Sequence, residues 1–358
     1  MKINLRIPGP TPLPSKVLQA TSQQMINHRG HAYEELQARG IKNLKHFFQT
    51  ENDMFIITSS GTGGFETAVA NMFSAGDTII SFTCGIFGER WADCARAFGL
   101  NVVQVKFDLG RAVSKNAVYK TLETTSNLKG VFFTHNETAV GVLNNIKEFA
   151  PLVHGHTDKP LLLVDAISSL GAVDLPMDAL GIDVLFSASQ KAWMAPPGLC
   201  MFSLSPKAWE FHKRATLPRY YFDIDLYKEF NEKNQTPATP AVSAVFGLDA
   251  AMQLMLAEGR ENVYKRHLTL MRYTREEVKK LGVSLFVKDE DASPTVTSLV
   301  VPEGVDASNW LTTLREKYNT VLAGGMGATK GKILRIAHMG YVSKEDIDNV
   351  ITALKNSL

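Results

Sequence analysis

Short, continuous apolar runs alternate with helical periodicity through the first two thirds of the chain, and this alternation restricts the fold more than any other feature. Continuous hydrophobicity is typical of strands that are buried on both faces of a largely parallel sheet. Strand, helix and strand in succession predict an open α/β domain. Seven such runs occur: MFIIT (54–58), DTIISF (77–82), NVVQVKF (101–107), GVFFTH (130–135), PLLLVDA (160–166), DVLFSA (183–188) and GLCMFSL (198–204).

The pattern changes after about residue 206, which indicates a second unit. Two further strand candidates, 295–301 and 332–338, alternate with helical patterns near 307–318 and 344–358. The Pro- and Gly-rich start of the chain favours an extended arm. At 358 residues the chain is long enough for two domains. We expect an arm over residues 1–16, a large domain over 17–257 and a small α+β domain over 258–358.

Charge and cysteine content exclude several classes of function. The chain carries 38 Lys and Arg residues against 36 Asp and Glu residues, a net charge of +2 that gives no basic footprint for nucleic acid. No apolar run approaches the ~20 residues of a membrane span. Three cysteines without CxxC spacing indicate a reducing compartment, so we expect a cytoplasmic protein. The histidine clusters 28–31 and 154–156 lack the further ligands of a metal site, and we expect none.

Polar residues at the ends of the predicted strands are the candidates for a ligand site, because open α/β sheets bind ligands beyond the carboxyl ends of their strands. The run MFIIT is followed by SSGTGG (59–64), whose small residues and helix start favour an anion. A simple Gly-rich helix start is the alternative. Asp165 ends the most apolar run, where a carboxylate needs a cation or hydrogen bonds to stay charged.

A lysine and an arginine complete the set of candidates. Lys191 lies between small residues and the turn WMAPPG, where loss of solvation lowers the pKa of an amine and makes it nucleophilic. Arg335, in the strand pattern KILRIAH, suits bidentate capture of a carboxylate, although spacing alone favours a structural salt bridge. A phosphate site, an acid, a desolvated lysine and a carboxylate-binding arginine together match the requirements of pyridoxal phosphate.

The whole chain resembles the class V, fold-type-I pyridoxal-phosphate aminotransferases, above all the alanine–glyoxylate and serine–pyruvate or serine–glyoxylate group. SASQKAWMAPPG after LLLVDAISSLG is the specific signature, and IPGPTPLP, SSGTGG, CGIFGER, THNETAVGVL and KILRIAHMG follow the family order. The resemblance implies a large domain with a mostly parallel seven-stranded sheet and a homodimer with shared active sites. It also implies transfer of an amino group from alanine, serine or aspartate to glyoxylate or pyruvate by a ping-pong mechanism.

The same resemblance implies a role for each matching residue. Lys191 would form the Schiff base with the cofactor, and Asp165 would pair with the pyridinium nitrogen. The phosphate would be held by Ser60, Gly61, Thr62 and Gln190, with Thr236 and Thr239 reaching the phosphate of the neighbouring subunit. Phe87 and Ile167 would cover the two faces of the ring and Thr138 would lie near the ring oxygen, while Arg335 and Gly9 would contact the substrate.

Two departures from the family bear on the substrate. Thr62 and Phe87 stand where relatives of the alanine–glyoxylate type commonly have His and Trp. Thr can still donate to a phosphate and Phe can still stack, so we expect cofactor binding to survive and specificity to be affected.

Two other functions fit parts of the pattern. A class V lyase such as a cysteine desulfurase shares the fold and the cofactor but typically has His before the Schiff-base lysine, where this chain has Gln190. A non-catalytic α/β binding protein that had lost the cofactor should lack Lys191 or Asp165, and both are present.

Overall fold

A computed structural model describes residues 3–358, and a seven-stranded sheet lies at its centre. The strand order is β2-β10-β9-β8-β5-β3-β4, in which β10 alone runs antiparallel to its neighbours β2 and β9. The predicted α/β class and mostly parallel sheet are therefore confirmed. The strands of the chain are β1 (Asn4–Leu5), β2 (Asp53–Thr58), β3 (Thr78–Thr83), β4 (Asn101–Lys106), β5 (Leu128–Thr134), β6 (Asn136–Glu137), β7 (Val142–Leu143), β8 (Leu161–Asp165), β9 (Val184–Ala188), β10 (Leu199–Leu204), β11 (Val296–Val300), β12 (Thr320–Val321), β13 (Ala323–Gly324) and β14 (Ile333–Ala337).

Helices cover both faces of this sheet, as continuous apolar strands require. On β2, Met54 and Ile56 belong to one core, whereas Phe55 and Ile57 belong to the core on the opposite face. The helix α2, which precedes the first apolar run, was not anticipated from the sequence. The helices are α1 (Ser15–Thr21), α2 (His31–Phe48), α3 (Gly61–Met72), α4 (Ile86–Ala97), α5 (Lys115–Thr124), α6 (Ile146–Gly155), α7 (Pro206–His212), α8 (Ile224–Asn231), α9 (Val242–Glu258), α10 (Arg260–Lys280), α11 (Ala307–Tyr318) and α12 (Lys344–Ser357).

The C-terminal part forms a separate layer with its own core. Strands β11, β14 and β13 make a small antiparallel sheet, and α10, α11 and α12 pack with it around Leu299, Trp310 and Ile336. The helix α10 begins at Arg260, close to the domain boundary that we placed at 257/258. The division into domains remains a prediction.

The N-terminal segment links this layer to the large sheet. Strand β1 pairs in parallel with β12, and the Ala337 N–H donates to the Arg6 carbonyl at 2.9 Å. Further along, the Thr11 N–H donates to the Gln190 carbonyl at 3.1 Å. The segment therefore runs from the C-terminal layer to the turn that carries Lys191.

Candidate active site

One pocket lies at the carboxyl edge of the large sheet, where the six parallel strands end together. The ends of β2, β5, β8 and β9 supply most of its wall, and α3 and α4 begin beside it. The pocket is lined by Ser60, Gly61, Thr62, Phe65, Phe87, Asn136, Thr138, Asp165, Ile167, Ser168, Gln190 and Lys191. Nine of these are residues that the sequence singled out.

The segment between β2 and α3 forms a small, polar end of this pocket. Ser60 is the N-cap of α3 but makes no side-chain cap hydrogen bond, so its hydroxyl does not compete for the N–H groups of the first turn. A Cβ on Gly61 would lie 2.5 Å from Ile167 Cδ1, so a larger residue there would displace the Ile167 side chain in the pocket wall. A helix start with free N–H groups favours an anion.

Two polar atoms among the lining residues are buried without a hydrogen-bond partner. They are Oε1 of Gln190 and Oδ1 of Asn136. Such atoms are uncommon because an unpaired buried acceptor costs about 1–3 kcal/mol. The two atoms indicate a pocket that is built for a polar ligand.

Asp165 ends β8 and is almost fully buried, with 3% of its surface exposed. Oδ1 accepts a hydrogen bond from the Ile167 N–H at 2.9 Å, and Thr134 Oγ1 donates to Oδ2 at 3.4 Å. Burial raises the pKa of Asp165 from 3.8 to about 7, only partly offset by the Ile167 hydrogen bond. The carboxylate thus lacks a close cation of its own and is suited to face a cationic ligand.

Lys191 lies across the same pocket, in the turn that follows β9. Its Nζ donates to the Pro8 carbonyl, and the Thr11 hydroxyl donates to the Lys191 carbonyl at 3.0 Å. Burial and, to a smaller extent, the positive charge of Arg335 lower the pKa of Lys191 from 10.5 to about 8, against the opposing effect of Asp165. A neutral, nucleophilic amine is therefore accessible near neutral pH.

Gly9 approaches Lys191 more closely than any residue with a side chain could. A Cβ on Gly9 would lie 2.7 to 2.9 Å from the outer atoms of the Lys191 side chain, and the φ of Gly9 is +114°. Both the space and the backbone conformation thus require glycine. The family resemblance implies that Gly9 lies close to the substrate, and that role remains a prediction.

Arg335, on β14, does not line the pocket itself but contacts Thr138, which does. Its NH1 group donates to the Thr138 carbonyl and its Nε to the Gly324 carbonyl, both at 2.9 Å. Neither acceptor is a carboxylate, so the salt bridge that we considered as its alternative role is not formed here. The charge of the guanidinium remains available to a substrate carboxylate.

Phe87 and Ile167 contribute apolar surface to the pocket wall, and Thr138 lies beside them. The guanidinium of Arg90 lies over the Phe87 ring, 5.4 Å from its centroid. A cavity with aromatic and aliphatic walls fits an aromatic ring. Together with the anion site, Asp165 and Lys191, the pocket fits a phosphorylated, cationic aromatic ring.

Thr236 and Thr239 do not line this pocket. The Thr236 hydroxyl donates to the Ala238 carbonyl at 2.8 Å, and Thr239 is exposed. Their expected contact with the phosphate of a neighbouring subunit remains a prediction.

Five residues of the site escaped the sequence analysis. Asn136, Phe65 and Ser168 line the pocket, Pro8 accepts the Lys191 hydrogen bond, and Glu137 is buried behind the wall. The motif THNETAVGVL contains Asn136 and Glu137, but spacing alone did not single out either of them. Glu137 stands between the polar residues Asn136 and Thr138, so nothing in its immediate sequence marked it as a buried acid.

Elsewhere in residues 3–358, one group has the composition of a metal site. His212, Asp223 and Asp225 lie together outside the pocket, with His212 Nε2 2.9 Å from Asp225 Oδ2. Asp225 is exposed, and its contact with His212 is equally explained as a direct polar contact between the two side chains. Over the same residues, every helix is too short or too polar to cross a bilayer.

Comparison with known proteins agrees with this geometry. The model of the class V aminotransferases matches residues 3–350. The chain is 39% identical to a protein named soluble hydrogenase, small subunit, of a Synechococcus strain, over 99% of this chain and 92% of that protein. It is 36% identical to the L-aspartate–glyoxylate aminotransferase of Paracoccus denitrificans, over 94% and 86%.

A solved structure extends the agreement to the fold. The alanine–glyoxylate aminotransferase of a Nostoc species superposes with a TM-score of 0.95 at 30% identity, covering 100% of this chain and 95% of that chain. Sequence, fold and pocket thus agree over nearly the full length. The chain belongs to the class V aminotransferase family.

Proposed function

We propose that this aminotransferase moves an amino group from a small amino acid, namely alanine, serine or aspartate, to glyoxylate or pyruvate in two successive half-reactions of ping-pong type. Pyridoxal phosphate is the cofactor that membership of the family implies. The observation that carries the proposal is that Lys191 and Asp165 line the same pocket, shielded from water. The start of α3, which lacks a side-chain cap, lies at one end of that pocket. The relatives that transfer amino groups to glyoxylate support the acceptor.

When bound, the cofactor supplies a ring that can take up the electron pair left when a proton leaves the amino acid Cα. Asp165 would face the ring nitrogen and keep a proton on it. A cation at that point would bring the pKa of Asp165 back down, because an opposite charge favours the ionised carboxylate. The Ile167 N–H, 2.9 Å from Oδ1, orients the carboxylate for this role.

Lys191 would hold the cofactor and, once released from it, move the proton at Cα. Its lowered pKa, about 8, suits an amine that must act as a base near neutral pH. Pro8 accepts its hydrogen bond and Gly9 leaves space for its outer atoms, so the N-terminal segment fixes where Nζ lies. The lysine is thereby kept within reach of the substrate.

Arg335 would bind the carboxylate that all the candidate substrates share, with Gly9 close to the same substrate. Two backbone carbonyls hold its guanidinium without neutralising it. Phe87 and Ile167 would cover the two faces of the ring, Thr138 would lie near its oxygen, and Ser60, Gly61, Thr62 and Gln190 would bind the phosphate.

We further propose that the working unit is a homodimer in the cytoplasm. Thr236 and Thr239 lie away from the pocket of their own chain, and a role at the neighbour's phosphate is consistent with that location. Their contribution in trans is the reason to expect shared active sites.

The lyase alternative has less support. A desulfurase needs an ionisable thiol, whereas burial raises the pKa of both Cys84 and Cys94 to about 12, and burial also raises that of Cys200. These are all the cysteines of the chain.

A matrix of donors and acceptors tests the proposal. Each of alanine, serine and aspartate is incubated with each of glyoxylate and pyruvate, and the new amino acid and 2-oxo acid are quantified by chromatography. We expect turnover with at least one pair and none in Lys191→Ala, with Lys16→Ala, an exposed lysine, as the matched control. Normal turnover in Lys191→Ala, or no transfer with any pair, would refute it.

A further inference from the structure

Glu137 is a fully buried acid behind the pocket wall, with 0% of its surface exposed. It lies on β6, whose hairpin partner is β7, and its neighbours in sequence, Asn136 and Thr138, both line the pocket. A buried acid is rare unless its charge is compensated. Its partners therefore indicate what it does.

Three backbone N–H groups converge on the Glu137 carboxylate. Phe87 N–H and Gly88 N–H donate to Oε2 at 2.9 and 3.1 Å, and Ala139 N–H donates to Oε1 at 3.0 Å. Burial raises the pKa of Glu137, and these three hydrogen bonds together with the charge of Arg335 oppose that rise. Both oxygens of the carboxylate therefore accept hydrogen bonds from backbone N–H groups.

Two of those donors belong to the first turn of α4. The N-cap of this helix, Gly85, offers no side chain, so a carboxylate from 50 residues further along the chain serves instead. A Cβ on Gly85 would lie 2.5 Å from Glu137 Cγ, which shows how closely the acid approaches. A negative charge at a helix start also interacts favourably with the helix dipole. Glu137 thus fixes the backbone from which the Phe87 ring projects into the pocket.

The same hairpin holds the arginine. Arg335 NH1 donates to the carbonyl of Thr138, the residue after Glu137, at 2.9 Å. One short segment therefore connects Phe87, which lines the pocket, with Arg335, the proposed substrate-binding residue.

We propose that Glu137 is a positioning residue for transamination, which sets the Phe87 ring and the Arg335 guanidinium relative to each other. This proposal rests on the proposed function of the pocket and assigns no proton transfer to Glu137. It predicts that loss of the carboxylate disturbs cofactor orientation and substrate binding together, even though Glu137 touches neither.

The test compares Glu137→Gln with Glu89→Gln. Glutamine keeps the size of the side chain, but its NH2 group must face one of the three N–H donors. Glu89 lies in the same first turn of α4 but is partly exposed and pairs with Lys106, so its variant removes a charge from the helix start and leaves Phe87 and Gly88 alone. Glu137→Asp is the conservative third variant, which keeps the charge on a shorter side chain.

Two readouts are measured on the folded, cofactor-loaded proteins. Visible circular dichroism of the bound cofactor reports ring orientation without any turnover, and steady-state kinetics separates KM from kcat for the amino donor. For Glu137→Gln we expect an altered dichroism band and a value of kcat/KM that is lower by about 10- to 100-fold, because a small misplacement of binding groups can have an effect of that size. The change should come mainly from a higher KM. Glu89→Gln should stay within about threefold of wild type, and Glu137→Asp should fall between the two.

A double-mutant cycle with Phe87→Leu tests whether Glu137 acts on the cofactor through the Phe87 ring. If Glu137 acts through Phe87, the Glu137→Gln effect on dichroism should be much smaller in the Phe87→Leu background. Wild-type dichroism and KM in folded Glu137→Gln, or fully additive effects, would overturn the proposal. So would a loss of thermal stability alone in both Glu137 variants. If Glu137→Gln alters the dichroism but the wild type transfers no amino group, the result counts against the proposed function and not against the positioning role.

Discussion

Without the cofactor, the charge on Lys191 should destabilise the fold, and Lys191→Met should relieve this. The fall in the lysine pKa from 10.5 to about 8 means that the folded state disfavours the ammonium form. At about 1.4 kcal/mol for each tenfold change, this corresponds to about 3 kcal/mol near pH 7. Methionine has a similar length and no charge, but it loses the hydrogen bond to the Pro8 carbonyl, worth about 1 kcal/mol. The net expectation is a gain of about 2 kcal/mol in the free energy of unfolding.

The dependence on pH gives the prediction its sign. Between pH 8 and 10.5 the unfolded chain binds a proton at this lysine that the folded chain does not, so the stability of the wild type rises with pH through that window. Below pH 8 the destabilisation is fully present, and above 10.5 it is absent. The advantage of Lys191→Met should therefore be large at pH 7 and vanish or reverse at pH 10.5.

Urea unfolding of the cofactor-free proteins, followed by circular dichroism, measures the effect. Lys16→Met serves as the control because Lys16 is exposed on α1. We expect the control to match the wild type at both pH values. Equal stability of Lys191→Met and wild type at pH 7, or a difference that is unchanged at pH 10.5, would refute the reasoning.

Three other perturbations follow from the same geometry. Asp165→Asn should stabilise the cofactor-free protein at pH 8 and lose that advantage toward pH 4, because the raised pKa of about 7 makes ionisation of Asp165 unfavourable in the folded state. Thermal melts at both pH values measure the difference in stability, and a difference that does not change with pH would contradict the prediction. Gly61→Ala should weaken cofactor binding at least tenfold in an equilibrium titration, since its Cβ would meet Ile167 at 2.5 Å, and unchanged affinity would disprove the fit. Native protein at pH 8 should react slowly with a thiol-alkylating reagent, because burial raises the pKa of Cys84 and Cys94 to about 12; rapid labelling before unfolding would show otherwise.

The sheet was predictable from the sequence because each strand carries its own signal. The seven apolar runs correspond to the seven strands of the large sheet, and a strand buried on both faces must be apolar throughout. The direction of β10 was not predictable in the same way, because a continuous apolar run does not indicate whether a strand is parallel or antiparallel to its neighbours. Its antiparallel pairing with β2 and β9 is set by the short connection through the Lys191 turn.

The sequence predicted those site residues whose side chains are themselves reactive or charged. Lys191 and Asp165 stand out as charges at the ends of apolar runs, and the pocket brings them together. Glu137 could not be found from spacing, because the Phe87 and Gly88 amides that it binds lie 50 and 49 residues away. Pro8 has no reactive group at all, and only the path of the N-terminal segment places its carbonyl beside Lys191.

The central claim is that Lys191 holds the cofactor in this pocket, and mass spectrometry tests it most directly. The purified protein is reduced with borohydride, digested and searched for the peptide that carries the cofactor. The account predicts a cofactor adduct on the peptide containing Lys191, and loss of that adduct when an amino donor is added before the borohydride. An adduct on a different lysine, or none in protein supplied with pyridoxal phosphate, would contradict it.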